Sequence, residues 1–242
     1  MHILVTRPIA QALKTRDLLR AMGCKVSLAP MLEVVFPDLA FLEPERFQAI
    51  LVTSSNAIDG LLRHAAIEGL RAVPLYAVGD GTARAAERAG WYDVHSAAGA
   101  VDDLAALAAA TLKRGGKHVL YAAGSHRTGD LEGKLGACGL SVEVAEMYRV
   151  RTVETFPPAV AAALMHGEIH AVVVYSARAA AAFVACAERS DLTRASKKLR
   201  FCALSPAVAA PLLQAGYARV AIAGEPTEAA LFRELPGPGS TI

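Results

Sequence analysis

Six short runs hold the residues of this chain that could do chemistry: Thr6-Arg7-Pro8, Thr53-Ser54-Ser55-Asn56, Gly79-Asp80-Gly81-Thr82, Ala123-Gly124-Ser125-His126-Arg127, Ser176-Ala177-Arg178 and Ser205-Pro206. They are small, hydroxylic or glycine-rich. Each follows a short apolar run, and most open an Ala/Leu-rich stretch. Such a place is the start of a helix, where the first backbone N–H groups lack intrahelical partners and the dipole is positive. Groups of this kind hold anions. Ser, Thr and Asn are also ordinary helix caps, so one run alone names no ligand. Six of them beyond the carboxyl ends of parallel strands favour an anionic ligand with several carboxylates or phosphates.

Other chemistries find less support. Gly79-x-Gly81 begins like a dinucleotide fingerprint, but Arg84 stands where the third glycine belongs, and no acidic ribose ligand follows the second strand. There is no GxxxxGK[ST] run for a phosphate loop. A phospho-receiver would need acidic residues after its first strand, where Thr6-Arg7 stands. The seven His are dispersed, with no HExxH, so no metal is expected. His2 and His118 begin equivalent strands and read as structural. Ser54 and Ser55 lack the GxSxG elbow of a hydrolase, and Asp102-Asp103 reads as a solvated helix start.

These runs are positioned by an alternation of short apolar stretches with helical ones, the pattern of a parallel α/β sheet. Strands are expected near 2–6, 24–30, 49–53, 74–78, 92–95, 117–122, 140–147, 170–175, 200–204 and 218–222. Helices are expected near 9–22, 56–66, 81–89, 101–113, 128–137, 158–165, 178–187, 206–214 and 226–235. In the helix at 101–113, Val101, Leu104, Ala108 and Leu112 repeat at helical spacing, and Gly115-Gly116 ends it.

The first half of the chain is written again in the second. His2-Ile3-Leu4-Val5 recurs as His118-Val119-Leu120-Tyr121, and Gly23–Met31 recurs as Gly139–Met147, both 116 positions on. Ile50–Ser54 recurs as Val172–Ser176, and Ala77-Val78-Gly79 as Ala203-Leu204-Ser205. The order is unit A, unit B, A′, B′. B and A′ are joined by the one helix at 101–113, an ordinary crossover between parallel strands. A and B are joined by Met31–Phe47, with Pro37, Pro44 and no helical repeat; A′ and B′ are joined by the extended Tyr148–Phe156. The two extended connectors read as a two-stranded hinge. The expected fold is therefore α/β, with two flavodoxin-like parallel-sheet lobes of five strands each. One lobe is discontinuous, 1–30 plus 155–242; the other is 38–147, with linkers 31–37 and 148–154. One half-sequence per lobe is the alternative.

Composition bounds the partners. With 242 residues, 54% of them hydrophobic, the chain can bury a full core. A net charge of +2 provides no broad basic surface for nucleic acid. Cys24, Cys138, Cys186 and Cys202 show no CxxC spacing, which fits a reducing cytoplasm. The N-terminus enters a strand at once with no leader pattern, charges interrupt every long apolar run, and no membrane span is expected. Pro236–Ser240 reads as a disordered tail. With no dedicated interface in view, the chain is read as a monomer.

Val5-Thr6-Arg7-Pro8, Thr53-Ser54-Ser55-Asn56-Ala57, Val78-Gly79-Asp80-Gly81-Thr82-Ala83, Tyr148-Arg149, Tyr175-Ser176 and Ala203-Leu204-Ser205-Pro206 together resemble the uroporphyrinogen-III synthase family over about 1–233. Each motif is weak alone; their order, spacing and duplication are specific. The resemblance implies a cofactor-free lyase of tetrapyrrole biosynthesis, serving haem among its end products. Its substrate is hydroxymethylbilane, a linear tetrapyrrole with eight carboxylates, and a hydroxymethylbilane synthase hands it over. Hydroxide leaves ring A to give an azafulvene, ring D attacks through its substituted carbon, and a spiro intermediate fragments and recloses with ring D inverted.

The resemblance makes Tyr148 the proton donor and Thr82 a contact to the substrate or a cap. A phenol is a weak but usable acid, and the alternative for Tyr148 is packing in the linker. Substrate contacts are expected from Arg7, Thr53, Ser54, Ser55, Asn56, Gly79, Thr82, Gly124, Arg127, Ser176 and Ser205. Arg178 could also pair with a propionate. The chain departs from the family at Ser205 and Val208, where a glycine and a threonine are usual. Asn56 and Ala177 also stand where some members carry other residues. A non-catalytic two-lobed receptor for a polycarboxylate or phosphate, or an enzyme of phosphorylated metabolites, is the rival reading.

Overall fold

The structure, a computed structural model, describes residues 1–127 and 129–237. In chain order the strands are β1 (His2–Val5), β2 (Lys25–Leu28), β3 (Leu32–Val35), β4 (Phe47–Val52), β5 (Leu75–Ala77), β6 (Val94–Ser96), β7 (His118–Gly124), β8 (Val142–Thr152), β9 (Ala171–Val174), β10 (Arg200–Ala203) and β11 (Val220–Ile222). The helices are α1 (Ile9–Ala21), α2 (Ser55–Leu61), α3 (Ile67–Arg71), α4 (Asp80–Arg88), α5 (Val101–Thr111), α6 (Leu131–Ala137), α7 (Pro158–Met165), α8 (Ala177–Arg189), α9 (Thr193–Ser196), α10 (Pro206–Gln214) and α11 (Glu228–Arg233). The chain divides into two compact units, Met1–Glu33 with Arg151–Ile242, and Val34–Val150.

The first unit holds a five-stranded sheet in the order β11-β10-β9-β1-β2, and each strand runs parallel to its neighbours. That is the flavodoxin order, with the strand order reversing between β1 and β9. Both β1 and β9 are buried throughout, as strands covered on two faces must be. Alternate residues feed two cores. Leu4, Val172 and Val174 join Phe183 and Phe201 on one face; Ile3, Val5 and Val173 join Leu19 and Leu231 on the other.

The second unit has six strands in the order β3-β8-β7-β4-β5-β6. From β8 to β6 all pairings are parallel. Repeats A′ and B occupy the places that A and B′ occupy in the first sheet, so the spatial order is the same. The chain, however, comes into this sheet at its edge, on β3, and passes next to its centre, on β4, so that here B precedes A′. Alternation again splits the strands: Ile50, Val52, Leu120 and Ala122 face one core, and Ala49, Leu51, Val119 and Tyr121 the other. Trp91 is buried in the first of these, its indole N–H donating to Leu70 O at 3.2 Å.

The connectors carry more regular structure than the sequence pattern suggested. Met31–Phe47 contributes β3 and a 3-10 turn at Pro44–Arg46, and β8 continues through residues 148–152. Val153 N–H donates to Met31 O at 3.0 Å, and Arg151 pairs with Glu33 at 2.5 Å, so the two segments run in opposite directions there. α3 and α9 fall in stretches too short to show a helical period. The expected helix at 226–235 is shorter, Glu228–Arg233, because Thr227 caps it through Ala230 N–H. Of the expected tail, residues 238–240 lie outside the described residues. Among the described residues, no helix is long and apolar enough to cross a membrane.

Candidate active site

In the first unit the carboxyl ends of β1, β9 and β10 are neighbours, and Arg7, Ser176 and Ser205 stand on them. Ser176 caps α8, accepting from Ala179 N–H at 3.2 Å, and Ser205 caps α10, accepting from Val208 N–H at 3.4 Å. Val208 therefore meets the Ser205 cap through its backbone, and its missing hydroxyl costs the helix nothing. Thr6 is fully buried and bridges the reversal point, its hydroxyl donating to Val173 O at 2.9 Å.

Arg7 does not stand free. Its guanidinium donates to Glu228 Oε1 at 3.0 Å and to Thr15 Oγ1 at 3.2 Å, and lies 4.0 Å above the Tyr175 ring centre. The same Glu228 oxygen accepts from the Thr15 hydroxyl at 2.6 Å and the Tyr175 hydroxyl at 2.7 Å. Burial alone would push the Glu228 carboxyl up; the bonds from Thr15 and Tyr175 and the charge of Arg7 outweigh it and hold the group below its ordinary 4.5. Tyr175 is pushed the other way, by burial and then by its bond to this carboxylate, and so is a poor proton donor. Nothing in the sequence pairs residue 7 with residue 228: Glu228 in a first helical turn reads as an ordinary dipole partner.

A depressed carboxyl stabilises the folded state above the unfolded pKa and stops doing so as pH falls through the folded one. Glu228→Gln should therefore lose about 1–3 kcal/mol at pH 7 by leaving the donors underused. It should also show a smaller loss than the parent between pH 4.5 and lower values, since the ordinary carboxyl pKa is 4.5. Urea unfolding at both pH values measures this; equal acid sensitivity in the two proteins would remove Glu228 from the account.

In the second unit the reversal point lies between β4 and β7. Thr53, Ser54, Ser55 and Asn56 follow β4; Gly79 and Thr82 follow β5; Gly124 ends β7, with Arg127 just beyond; Tyr148 lies in β8. These four strands are adjacent in the order β8-β7-β4-β5, so this sheet gathers most of the expected residues. Thr53 Oγ1 lies 3.4 Å from the Tyr121 hydroxyl. Ser54 caps α2, accepting from Asn56 N–H at 3.2 Å. Gly79 caps α4 with open space where a side chain would stand, which leaves its backbone approachable. Thr82 is half-buried in the first turn of α4, its N–H donating to Gly79 O at 3.0 Å. Arg127 lies 3.6 Å from Glu132, in a half-exposed pair that contributes little.

Tyr148 sits against β7. Its carbonyl accepts from Ser125 N–H at 3.0 Å, and its half-buried ring covers Gly124. Its hydroxyl has no hydrogen-bond partner among the described residues, in contrast to that of Tyr175. Among the described residues no cluster of His, Cys, Asp and Glu could hold a metal ion.

Fold and site together define a parallel α/β enzyme whose strand ends present helix N-termini, hydroxyls and one unengaged phenol. The uroporphyrinogen-III synthase model matches residues 14–233, and the chain belongs to that family. It is accordingly a cyclising lyase of tetrapyrrole biosynthesis rather than a non-catalytic receptor. The structure is similar to uroporphyrinogen-III synthetase from Helicobacter pylori, with a TM-score of 0.61 at 19% identity, covering 96% of this chain and 97% of that one. A mutant uroporphyrinogen III synthase of Thermus thermophilus aligns at TM-score 0.48 and 18% identity over 96% and 95% of the two chains. At these identities the first likeness speaks for the fold. No curated protein matches the chain.

Proposed function

We propose that Tyr148 donates the proton that lets hydroxide leave ring A of hydroxymethylbilane, while the strand-end runs hold the substrate carboxylates. The observation that carries this is the contrast between the two phenols at the strand ends: Tyr175 is committed to Glu228, and Tyr148 has an unengaged hydroxyl beside a reversal point. The ring A C–O bond breaks as the phenol proton passes to the departing oxygen, giving water, an azafulvenium cation that keeps its pyrrole N–H, and the tyrosinate. Ring D attacks through its substituted carbon, the spiro intermediate fragments, and the final closure releases one proton. That proton balances the one spent, so the acid is restored.

Unguided closure gives the uninverted isomer, so much of the catalysis is positioning. The N-termini of α4, α8 and α10, with Thr53, Ser54, Ser55, Asn56, Gly79, Thr82, Ser176 and Ser205, suit a polycarboxylate. Arg127 can exchange its exposed partner for a propionate, and Arg7 acts through the strand end it braces. Gly124 serves the site from beneath Tyr148. On the same reading the two units are lobes that the connectors hinge, the substrate arrives from a hydroxymethylbilane synthase, and the enzyme works as a cytoplasmic monomer. The test supplies freshly made hydroxymethylbilane, oxidises the product and separates isomers by chromatography. Type III in excess over a no-protein control is expected; type I alone at the uncatalysed rate would sink the reading.

A further inference from the structure

The Tyr148 side chain needs a glycine beneath it. A Cβ placed on Gly124 would lie 2.6 Å from Tyr148 Cζ, 2.9 Å from Cε2 and 2.9 Å from the hydroxyl oxygen. All three contacts are far inside van der Waals distance, and all are at the end of the ring that carries the phenol. The backbone gives no other reason for glycine at this place, since Gly124 is not among the residues with positive φ. Nor does the repeat: the equivalent position in the first half of the chain is Pro8, 116 residues earlier.

The strand pairing explains the approach. Ala123 pairs with Glu146, but Gly124 pairs with Tyr148, so β8 carries one extra residue at this point. Such a bulge re-aims a side chain. Here it lays the Tyr148 ring across the neighbouring strand instead of leaving it upright on its own. The bulge is held from the other side. A Cβ on Gly60 of α2 would lie 2.7 Å from both Cβ and the carbonyl oxygen of Met147, so that helix packs directly on the backbone one residue before Tyr148. Ser125 N–H, donating to Tyr148 O, closes the arrangement. The first glycine sets where the phenol points, and the second keeps the strand that carries it from lifting.

We infer that Gly124 is a positioning residue for the reaction: its lack of a side chain lets the Tyr148 phenol lie over the end of β7, and a methyl group there turns the phenol away. This rests on the reading of Tyr148 as proton donor. The experiment is a cycle of Gly124→Ala, Tyr148→Ala and the double variant, scored by type III formation. It is paired with 19F NMR of the protein carrying 3-fluorotyrosine at position 148.

Gly124→Ala is expected to lower kcat by about 100-fold, the size of effect a displacement of about 1 Å can have, with KM changed by less than about threefold. It is expected to cost nothing further once Tyr148→Ala has removed the ring, and to move the fluorine resonance. Gly124→Ala at the parent's rate, or an equal loss in both backgrounds, would overturn the inference while leaving the synthase reading intact. If Gly124→Ala fails to fold, a folded double variant still assigns the cause to the ring, and an unfolded one overturns it. Should the parent make no type III isomer, the proposed reaction fails by itself, and the fluorine shift still decides whether Gly124 places the phenol.

Discussion

Replacing Tyr148 by Phe should lower kcat for type III formation by about 100-fold or more, the range in which one general acid acts. The ring stays over Gly124 and the carboxylate contacts are untouched, so KM should move little. Because hydroxymethylbilane closes without help to the uninverted isomer, the product mixture should shift toward type I as the catalysed rate drops. Tyr175→Phe is the control. That hydroxyl donates to Glu228 at 2.7 Å and is not offered to a substrate, so its removal should cost stability and leave the isomer ratio in place. A Tyr148→Phe enzyme within about threefold of the parent would show that departure of hydroxide needs no proton from this residue.

Phe183→Ala should cost about 3–5 kcal/mol, against a total stability for a domain of about 5–15 kcal/mol. Phe183 is fully buried, and its ring centre lies 5.1 Å from that of Phe156 and 5.1 Å from that of Phe201, both edge to face. Phe201 continues the row to Tyr217 at 5.0 Å, whose hydroxyl meets Ser196 at 2.9 Å. The row fixes α8 to β10 and to the segment between α10 and β11, so truncation opens a cavity that stiff neighbours cannot fill. Urea unfolding followed by circular dichroism should show the loss. Trp91 lies in the other unit, so its fluorescence follows that unit separately. A loss below about 1 kcal/mol would mean the row collapses into the gap, which close-packed aromatic rings resist.

The repeats made most strands legible, because four or five apolar residues between turn signals can do little else. What escaped has physical reasons. β3 is a half-buried edge strand in a segment with two prolines, and carries no alternation strong enough to read. α3, with five residues, and α9, with four, are shorter than two helical turns. The runs at the strand ends were visible because helix starts demand particular residue types. Contacts made across the fold were not. Arg7 reads as a lone cation until α11 brings Glu228 beside it. Gly124 reads as one more small residue in a loop until the extra residue in β8 lays the Tyr148 ring over it.

The two sheets share one spatial order but are entered differently by the chain, and this orders their birth on the ribosome. Val34–Val150 is continuous, so every strand of its sheet is available once residue 150 has emerged, and the unit can close while synthesis continues. The other unit begins first and finishes last. β1, an inner strand of its sheet, must wait for the central strand β9, with which Ile3 pairs only at Ala171. Until then one edge of β1 is an open template for wrong partners, and the long separation makes its closure the slow event. A nascent chain stalled past residue 150 would thus carry one finished unit and one orphaned strand–helix–strand, and the slow half of the molecule is the half that was begun first.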